Sequence, residues 1–485
     1  MRKIGAVAVL SLMSILSAAA AEPPSAGPQA TAQHIRTARG ELRMPGRKII
    51  FNVSQDGGGA QEKLTLTLAH DLVAVSRGSA ERLYDFALRR ILIIDPTNRS
   101  FANTSLYANL AFRVFEAQNR IVLSRALSTA KIETQPPPMD AFWAASELGV
   151  VMPDQAPATI ERRAEQNGSI VFSYAGQEVA RITPSTVELS AEELRRLGNF
   201  LHYECSLHPQ IVDAFLATGR LPQRFAFERA MGTKRIRVSY ELALVEAIEV
   251  SYPLPADYRA DLLPAKSGDG ASEQLRPLLP VMLEAIALRH GGGPRSAANY
   301  QTAIDRALSS GKGFQALLLA IELQLQHGNS AANCATAPES QPCHRLGEIR
   351  GAVGNDKRAQ SYLAATRAEQ TDHDAAKAIS IWRAIPRDDL ANGYVIDDHI
   401  ANAMTAKGML GGETLSMFMT AIRGNPYVST FYKDLGDYFA RDYRTDVAWL
   451  CYDLGRALPG ANATPVLPSI TNLEQRFAAD FPQFF

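Results

Sequence analysis

Cysteine, net charge and long apolar runs are all scarce in this chain of 485 residues. Fifty Lys and Arg stand against fifty Asp and Glu, a formal charge of zero. No dense Lys/Arg run occurs, so the basic surface needed to neutralise phosphates is missing and nucleic acid is excluded as an expected partner. Past the N-terminal segment no apolar stretch approaches the ~20 residues of a spanning helix, which predicts no transmembrane segment. Catalytic signatures are missing too. There is no Gly-x-Ser-x-Gly elbow, no His-Glu-x-x-His, no phosphate-binding Gly-x4-Gly-Lys-Ser/Thr and no dinucleotide-type Gly-x-Gly-x-x-Gly leading into a helix. The triplets Gly57-Gly58-Gly59 and Gly291-Gly292-Gly293 lack the strand-to-helix setting and the Lys of a phosphate cradle. No catalytic residue, metal or cofactor is therefore expected.

What is present begins at the N-terminus. Met1-Arg2-Lys3, an apolar run from Ile4 to Leu16 and the small residues Ser17 to Ala21 before Glu22-Pro23-Pro24 have the order of a secretory signal peptide. The run is too short to span, and no Cys stands at the cleavage point to accept a lipid. The expected address is periplasmic or secreted. In an oxidising compartment four cysteines invite disulfides. Cys334 and Cys343, in a Pro-containing loop, are the natural pair, and closing it would stabilise by roughly 2 to 3 kcal/mol. Cys205 and Cys451 are left either to staple the two halves together or to remain buried free thiols.

The mature chain divides by texture. Residues 22–43, with Pro23, Pro24 and Pro28, read as a flexible lead-in. From 44 to 262 strands dominate: Leu64-Thr65-Leu66-Thr67-Leu68 alternates strictly, and Arg47–Val53, Leu72–Ser76, Arg82–Phe86 and Ile91–Ile94 continue as a meander. Further strands are expected at Ser169–Tyr174, Glu178–Thr183, Arg224–Arg229 and Lys234–Tyr252. Helices interrupt them at Leu106–Arg120, after the capping box Ser190/Glu193, and from Pro209 to Ala217. A linker at 263–272 leads to a helical run over 273–460, and 461–485 forms a terminal segment ending in Phe481, Phe484 and Phe485 that can cap the array. The fold class is α+β: a mostly antiparallel sheet domain with inserted helices, then an all-α repeat domain.

Within the helical run, Tyr432-x2-Leu435-Gly436-x2-Phe439 followed by Ala448-x3-Tyr452, with Pro426 before and Pro459 after, resembles a tetratricopeptide repeat. Tyr362, Ala378 and Trp382 repeat the same separations one double unit earlier, and Phe418 and Ala421 keep phase between them. Gly436 and Ala448 would let two antiparallel helices approach closely. The resemblance implies a concave groove that binds extended peptides or partner proteins, carried over onto Thr430, Lys433, Asp437, Ala440 and Arg441, with Arg367 in the comparable place on the earlier unit. Lys433, Asp437 and Arg441 step by four and share a helix face, which also fits a plain ion-pair ladder. More faintly, the strands after the leader, Arg89 to Asp95 with Asn103 to Tyr107, and closure on Tyr252-Pro253-Leu254-Pro255 look similar to periplasmic lipoprotein-carrier half-barrels. That resemblance implies a curved sheet able to hold acyl chains.

Other polar clusters carry less. His202, Glu204, Cys205 and His208 do not stack as metal ligands would and read as surface histidines beside a structural Cys. Asp372-His373-Asp374 fits a helix N-cap at Asp374, and Asp397-Asp398-His399 reads as solvated. Trp382, Tyr432 and Tyr452 read as core. The chain is thus expected to be a non-catalytic binding or scaffold protein of the cell envelope, its helical repeats engaging a protein or peptide. The alternative is a periplasmic carrier of lipid or lipoprotein through a hydrophobic cavity in the sheet domain. An enzyme acting on envelope polymers through unmarked carboxylates is the third possibility.

Overall fold

The computed structural model describes Ile35, residues 37–39 and residues 42–485 apart from 57–60, 131–139, 157, 232–233, 253, 256, 262–274, 288–295, 328–346, 350, 355, 459–460, 462–463 and 465. The leader, the linker and the Cys334/Cys343 pair lie outside the described residues.

Twelve strands form one sheet. The first meander runs β1 (Arg43–Gln55), β2 (Glu62–Ala69), β3 (Leu72–Arg77), β4 (Ala80–Asp85), β5 (Arg90–Asp95) and β6 (Ser100–Ser105). Two helices follow, α1 (Leu106–Thr129) and α2 (Ala141–Leu148). The chain re-enters the sheet through β7 (Ile160–Ala164), β8 (Ile170–Tyr174) and β9 (Gln177–Glu188), detours through α3 (Ala191–Glu204) and α4 (Pro209–Leu216), and finishes with β10 (Arg220–Met231), β11 (Lys234–Ser251) and β12 (Arg259–Asp261). The spatial order is β12-β6-β5-β4-β3-β2-β1-β11-β10-β9-β8-β7. Every pairing is antiparallel except β12 with β6. The two meanders therefore meet at the long β1–β11 pair.

One face of this sheet is a packed core. Ile49, Phe51 and Val53 alternate inward from β1, as Leu64, Leu66 and Leu68 do from β2. Phe51 meets Phe225 edge-on at 5.6 Å, and Phe225 stacks on Tyr240 at 4.4 Å. Over them lie α3 and α4, contributing Leu197, Phe200, Ile211 and Phe215, all buried. The capping box forms as expected: the Ser190 hydroxyl accepts from the Glu193 amide, and Glu193 accepts in turn from the Ser190 amide. Glu193 also pairs with Arg47 at 2.6 Å, clipping the helix start to β1.

The other face is covered at the β2–β6 end. Leu72, Ala74, Leu83, Leu92 and Phe101 pack there with Ile35 and Leu254. Both faces of β3 are thus buried, which is why Leu72-Val73-Ala74-Val75 is apolar without alternation. Arg39, in the stretch read as lead-in, is buried here. Its guanidinium grips Asp85 at 2.7 and 3.0 Å and Asp71 at 2.6 Å, while the Tyr252 hydroxyl donates to Asp85 at 2.9 Å. A bidentate Arg–carboxylate pair with further donors is the form in which buried charge is best satisfied.

The second half is a run of helices: α5 (Leu279–Ala287), α6 (Ala297–Ser309), α7 (Gly313–His327), α8 (Lys357–Gln370), α9 (Ala375–Arg383), α10 (Tyr394–Ala406), α11 (Gly412–Gly424), α12 (Ser429–Arg441), α13 (Thr445–Ala457) and α14 (Val466–Asp480). Helices α8 to α13 form three successive hairpins in which each helix packs on the next. Gly436 explains how closely the last pair approach: a Cβ there would lie 2.4 Å from the Tyr452 ring and 3.1 Å from the Ala448 carbonyl. Asp374 caps α9, accepting from the Lys377 amide at 3.0 Å, and Trp382, Tyr432 and Tyr452 are core. No helix of the described residues is long and apolar enough to cross a membrane.

The halves share one core. Buried residues of α11, α12, α13 and α14 are continuous with those beneath the sheet. Arg90 of β5 reaches Asp453 of α13 at 2.5 Å, and Arg456 joins Asp453 at 2.7 Å to Glu474 of α14 at 2.8 Å. Beyond α14 the chain tucks further than the last hairpin, onto the sheet domain itself. Phe484, fully buried, sits between Tyr203, His202 and Arg113, whose guanidinium lies 5.5 Å from its ring. The Tyr203 hydroxyl donates to the Phe484 carbonyl and the Asn199 amide to that of Gln483. Cys205 and Cys451 are both free and buried, so no bridge staples the halves; this seam takes its place. Burial pushes the Cys205 thiol up to about 12, so it is inert as a nucleophile.

Replacing Phe484 by Ala removes a fully buried ring, and a loss of about 3 to 5 kcal/mol is expected. Urea unfolding checks this; an unchanged midpoint would mean that the tail contributes nothing to the joint.

Candidate functional site

The first helices of the three hairpins, α8, α10 and α12, follow one another on one side of the array. Their neighbour at one end is α7. Its Glu322, 1% exposed, accepts from the Tyr300 hydroxyl at 2.9 Å, the Tyr394 hydroxyl at 2.6 Å, Asn425 Nδ2 at 2.5 Å and Asn392 Nδ2 at 3.3 Å. One carboxylate thus ties α6 and α7 to the starts of α10 and α12. Thr430 lies in this closed end, its hydroxyl donating to the Leu325 carbonyl at 3.1 Å, so it is occupied by internal packing.

The far end of the same face is acidic. Lys433 and Asp437, one turn apart on α12, pair at 2.5 Å, and Lys433 also approaches Asp434 at 3.5 Å. Asp437 accepts a second bond from the Tyr452 hydroxyl at 2.7 Å. Asn402 of α10 bridges two carboxylates, donating to Asp434 at 2.9 Å and to Asp398 at 3.3 Å. Arg441 and Arg367 are exposed, and Ala440 is half-buried. The face expected from the repeat spacing therefore brings Lys433 and Asp437 into contact, while Thr430 points into α7 and the two arginines stand in solvent.

Burial and neighbouring carboxylates set the protonation here. Burial first, then Asp434 and Glu369, push the Asp398 carboxyl well above the usual range. Burial raises Asp434 as well, with Asp437 adding to it and Lys433 opposing. Glu369 of α8 rises through burial and the charge of Asp434. Lys433 is pulled down by burial but lifted more by Asp434 and Asp437, to about 12, so it stays an ammonium.

Two expectations are corrected. Asp398 and His399 are not solvated: Asp398 is 1% exposed, and His399 accepts or donates at 2.6 Å to the Tyr362 hydroxyl while stacking 5.5 Å from Trp382. Residues 394–406 run apolar on most sides (Val395, Ile396, Ile400, Ala401, Ala403, Met404), because α10 is flanked by helices, and the polar pair is carried in with it. Nor are His202 and His208 surface residues. His202 is buried under Phe484, and His208 caps α4 and stacks 5.1 Å from Phe142; burial holds each at about 4, neutral at physiological pH. Among the described residues no three His, Cys, Asp or Glu converge closely enough to hold a metal ion.

In the sheet half, an open cleft of about 200 Å³ lies between α1 and α2, floored by Ala117, Ala144 and Ala145 with Arg120 and Arg125 beside it. Arg120 is held by Glu116 and Glu147. No protein-family model matches the chain, and no curated protein is detectably similar to it.

The acidic end generates a pH prediction. Asp398 and Asp434 bind their protons more tightly folded than unfolded, so stability falls as pH rises from the unfolded carboxyl value, about 4, through the raised folded values. Asp397, Glu369, Lys433 and Asp437 are the charged groups around them. Asp398→Asn removes one of the two titrations. It is expected to raise stability at pH 7 by about 1 to 3 kcal/mol, the scale of a poorly satisfied buried polar group, and to leave stability unchanged near pH 3. Urea midpoints across that range decide it.

Proposed function

We propose that the chain is an exported binding protein of the cell envelope whose helical hairpins engage a protein or peptide, in the manner of tetratricopeptide-like arrays. The observation that carries this is the run of three helical hairpins in which α10 and α12 share a polar network, Asn402 with Asp434 and Lys433 with Asp437, while α13 is bolted to the sheet through Asp453. An array held this way is a rigid platform, and binding groups on rigid elements lose little order on engaging a partner. The leader-like N-terminus supports export.

The sheet domain then acts as a mount. Its inner face is filled by the protein's own rings and by α3 and α4, which favours the array over the sheet as the binding part. A carrier of acyl chains would have to displace Phe51, Phe200 and Phe225, each buried to 2% exposure or less.

Deleting the array is a poor test, because its helices complete the core beneath the sheet. The full mature chain is better compared with a double charge reversal, Arg367→Glu with Arg441→Glu, at two exposed positions. Both proteins are used to capture partners from envelope solubilised in mild detergent, with proteins and lipids analysed together. The expected result is a reproducible protein partner lost with the double variant. Stoichiometric lipid retained equally by both proteins, with no protein partner, would transfer the function to the sheet domain.

A further inference from the structure

Resting on that reading of the array, we propose that its groove takes a cationic side chain, a lysine or arginine of an extended peptide, into the acidic pocket formed by Glu369, Asp398, Asp434 and Asp437. These carboxylates come from three helices, α8, α10 and α12, and a single ammonium, Lys433, touches two of them. Arg387 is engaged by Asp397, the residue next to Asp398. Burial and mutual repulsion favour the protonated forms of Glu369, Asp398 and Asp434, so an arriving cation would supply the positive charge that lets these carboxyls release their protons and ionise.

A separate observation points to a missing donor. Asp398 Oδ1 is buried and has no hydrogen-bond partner; neither has the hydroxyl of Thr405, which is 3% exposed. Asp398, Asn402 and Thr405 follow at i, i+4 and i+7, so they lie along one face of α10, the face from which Asn402 reaches Asp434. Nearly all buried polar atoms in folded proteins are partnered, and two orphans on one stripe mark a place where donors are wanted. An ammonium offers three N–H donors and a guanidinium five, together with the missing charge.

The chemistry selects an organic cation over a metal. The acids do not converge to ligating distance, so a compact ion has no cage, whereas a forked or rotating donor group can bond to several separated oxygens. Entry is over the rim: the Asp437 side chain is 41% exposed and Lys433 25%, whereas Asp434 is 13% and Asp398 lies beneath it. Lys433 would swing aside from Asp434 while keeping Asp437, its shorter contact.

The test is calorimetric titration of the full mature chain with an acetylated, amidated Lys-Ala repeat octapeptide, and with its Glu-Ala counterpart, at low ionic strength. Saturable binding of the Lys-Ala peptide alone is expected, weakened about tenfold or more by Asp398→Asn and by Asp434→Asn, the loss of one charge-assisted hydrogen bond. Asp437→Asn, on the exposed rim, serves if a buried variant fails to fold. Equal binding of both peptides, or binding indifferent to all three substitutions, overturns the pocket. Partner capture separates the two ideas. If Arg367→Glu with Arg441→Glu abolishes capture and the three asparagine variants do not, the groove stands and the pocket falls.

Discussion

Arg90, Asp453, Arg456 and Glu474 form a chain of ion pairs between the sheet and the last two helices, with Trp449 donating its indole N–H to Glu474 at 3.0 Å. Burial alone would raise the Asp453 carboxyl, yet Arg90 and Arg456 together hold it below the usual range. Such a network gains little over an apolar contact when complete. Losing any one member strands the others, at about 3 to 5 kcal/mol. The joint is therefore strict about geometry: α13 can sit on β5 and β6 in one register. Phe484, locked between Arg113 and Tyr203, fixes the same relation from the far side of α1.

That constraint decides which side of the array is free. With α13 and α14 committed to the sheet and α12 sharing their core, only the polar residues of the first helices are left outside that packing. Glu322 then closes one end of their face by gathering α6, α7, α10 and α12 onto a single carboxylate. What is left is the end carrying Glu369, Asp398, Asp434 and Asp437. The site is defined by subtraction: two buried polar networks consume the surfaces around it.

Much of this was legible in the residues. Period-two alternation marked β2, and the Ser190/Glu193 and Asp374 caps marked their helices, because these signals are local and a single element suffices to produce them. The missed elements were those whose identity depends on neighbours. β7 is Ile160-Glu161-Arg162-Arg163-Ala164, too polar to read as a strand, and exists as an edge with charged side chains in solvent. β6, Ser100 to Ser105, is polar yet pairs with β5, and α2 is a short helix capped by Asp140. Burial of Asp398, His399, His202 and His208 was likewise illegible: nothing in a local sequence window says that a distant tail or hairpin will cover it. The union of the halves was hidden for the same reason, since the contacts of Arg90 with Asp453 and of Asn199 with Gln483 span hundreds of residues.

Why an array core should keep Asp398 beside Asp434 is the remaining physical question. Two carboxyls sharing a site cannot both ionise cheaply, and apolar residues of similar volume would suit the helices better. Fixing helix register is one established use for buried polar groups. Here register is already set twice over, by the close fit of Gly436 against Tyr452 and by the four donors gathered on Glu322. A bridging Asn402 adds no constraint that these lack. On the proposed reading, Asp398 and Asp434 are kept for a group that arrives with the donors and the positive charge this pocket does not contain; a site that sacrifices folded stability for such readiness is the usual relation between binding groups and the scaffold that holds them.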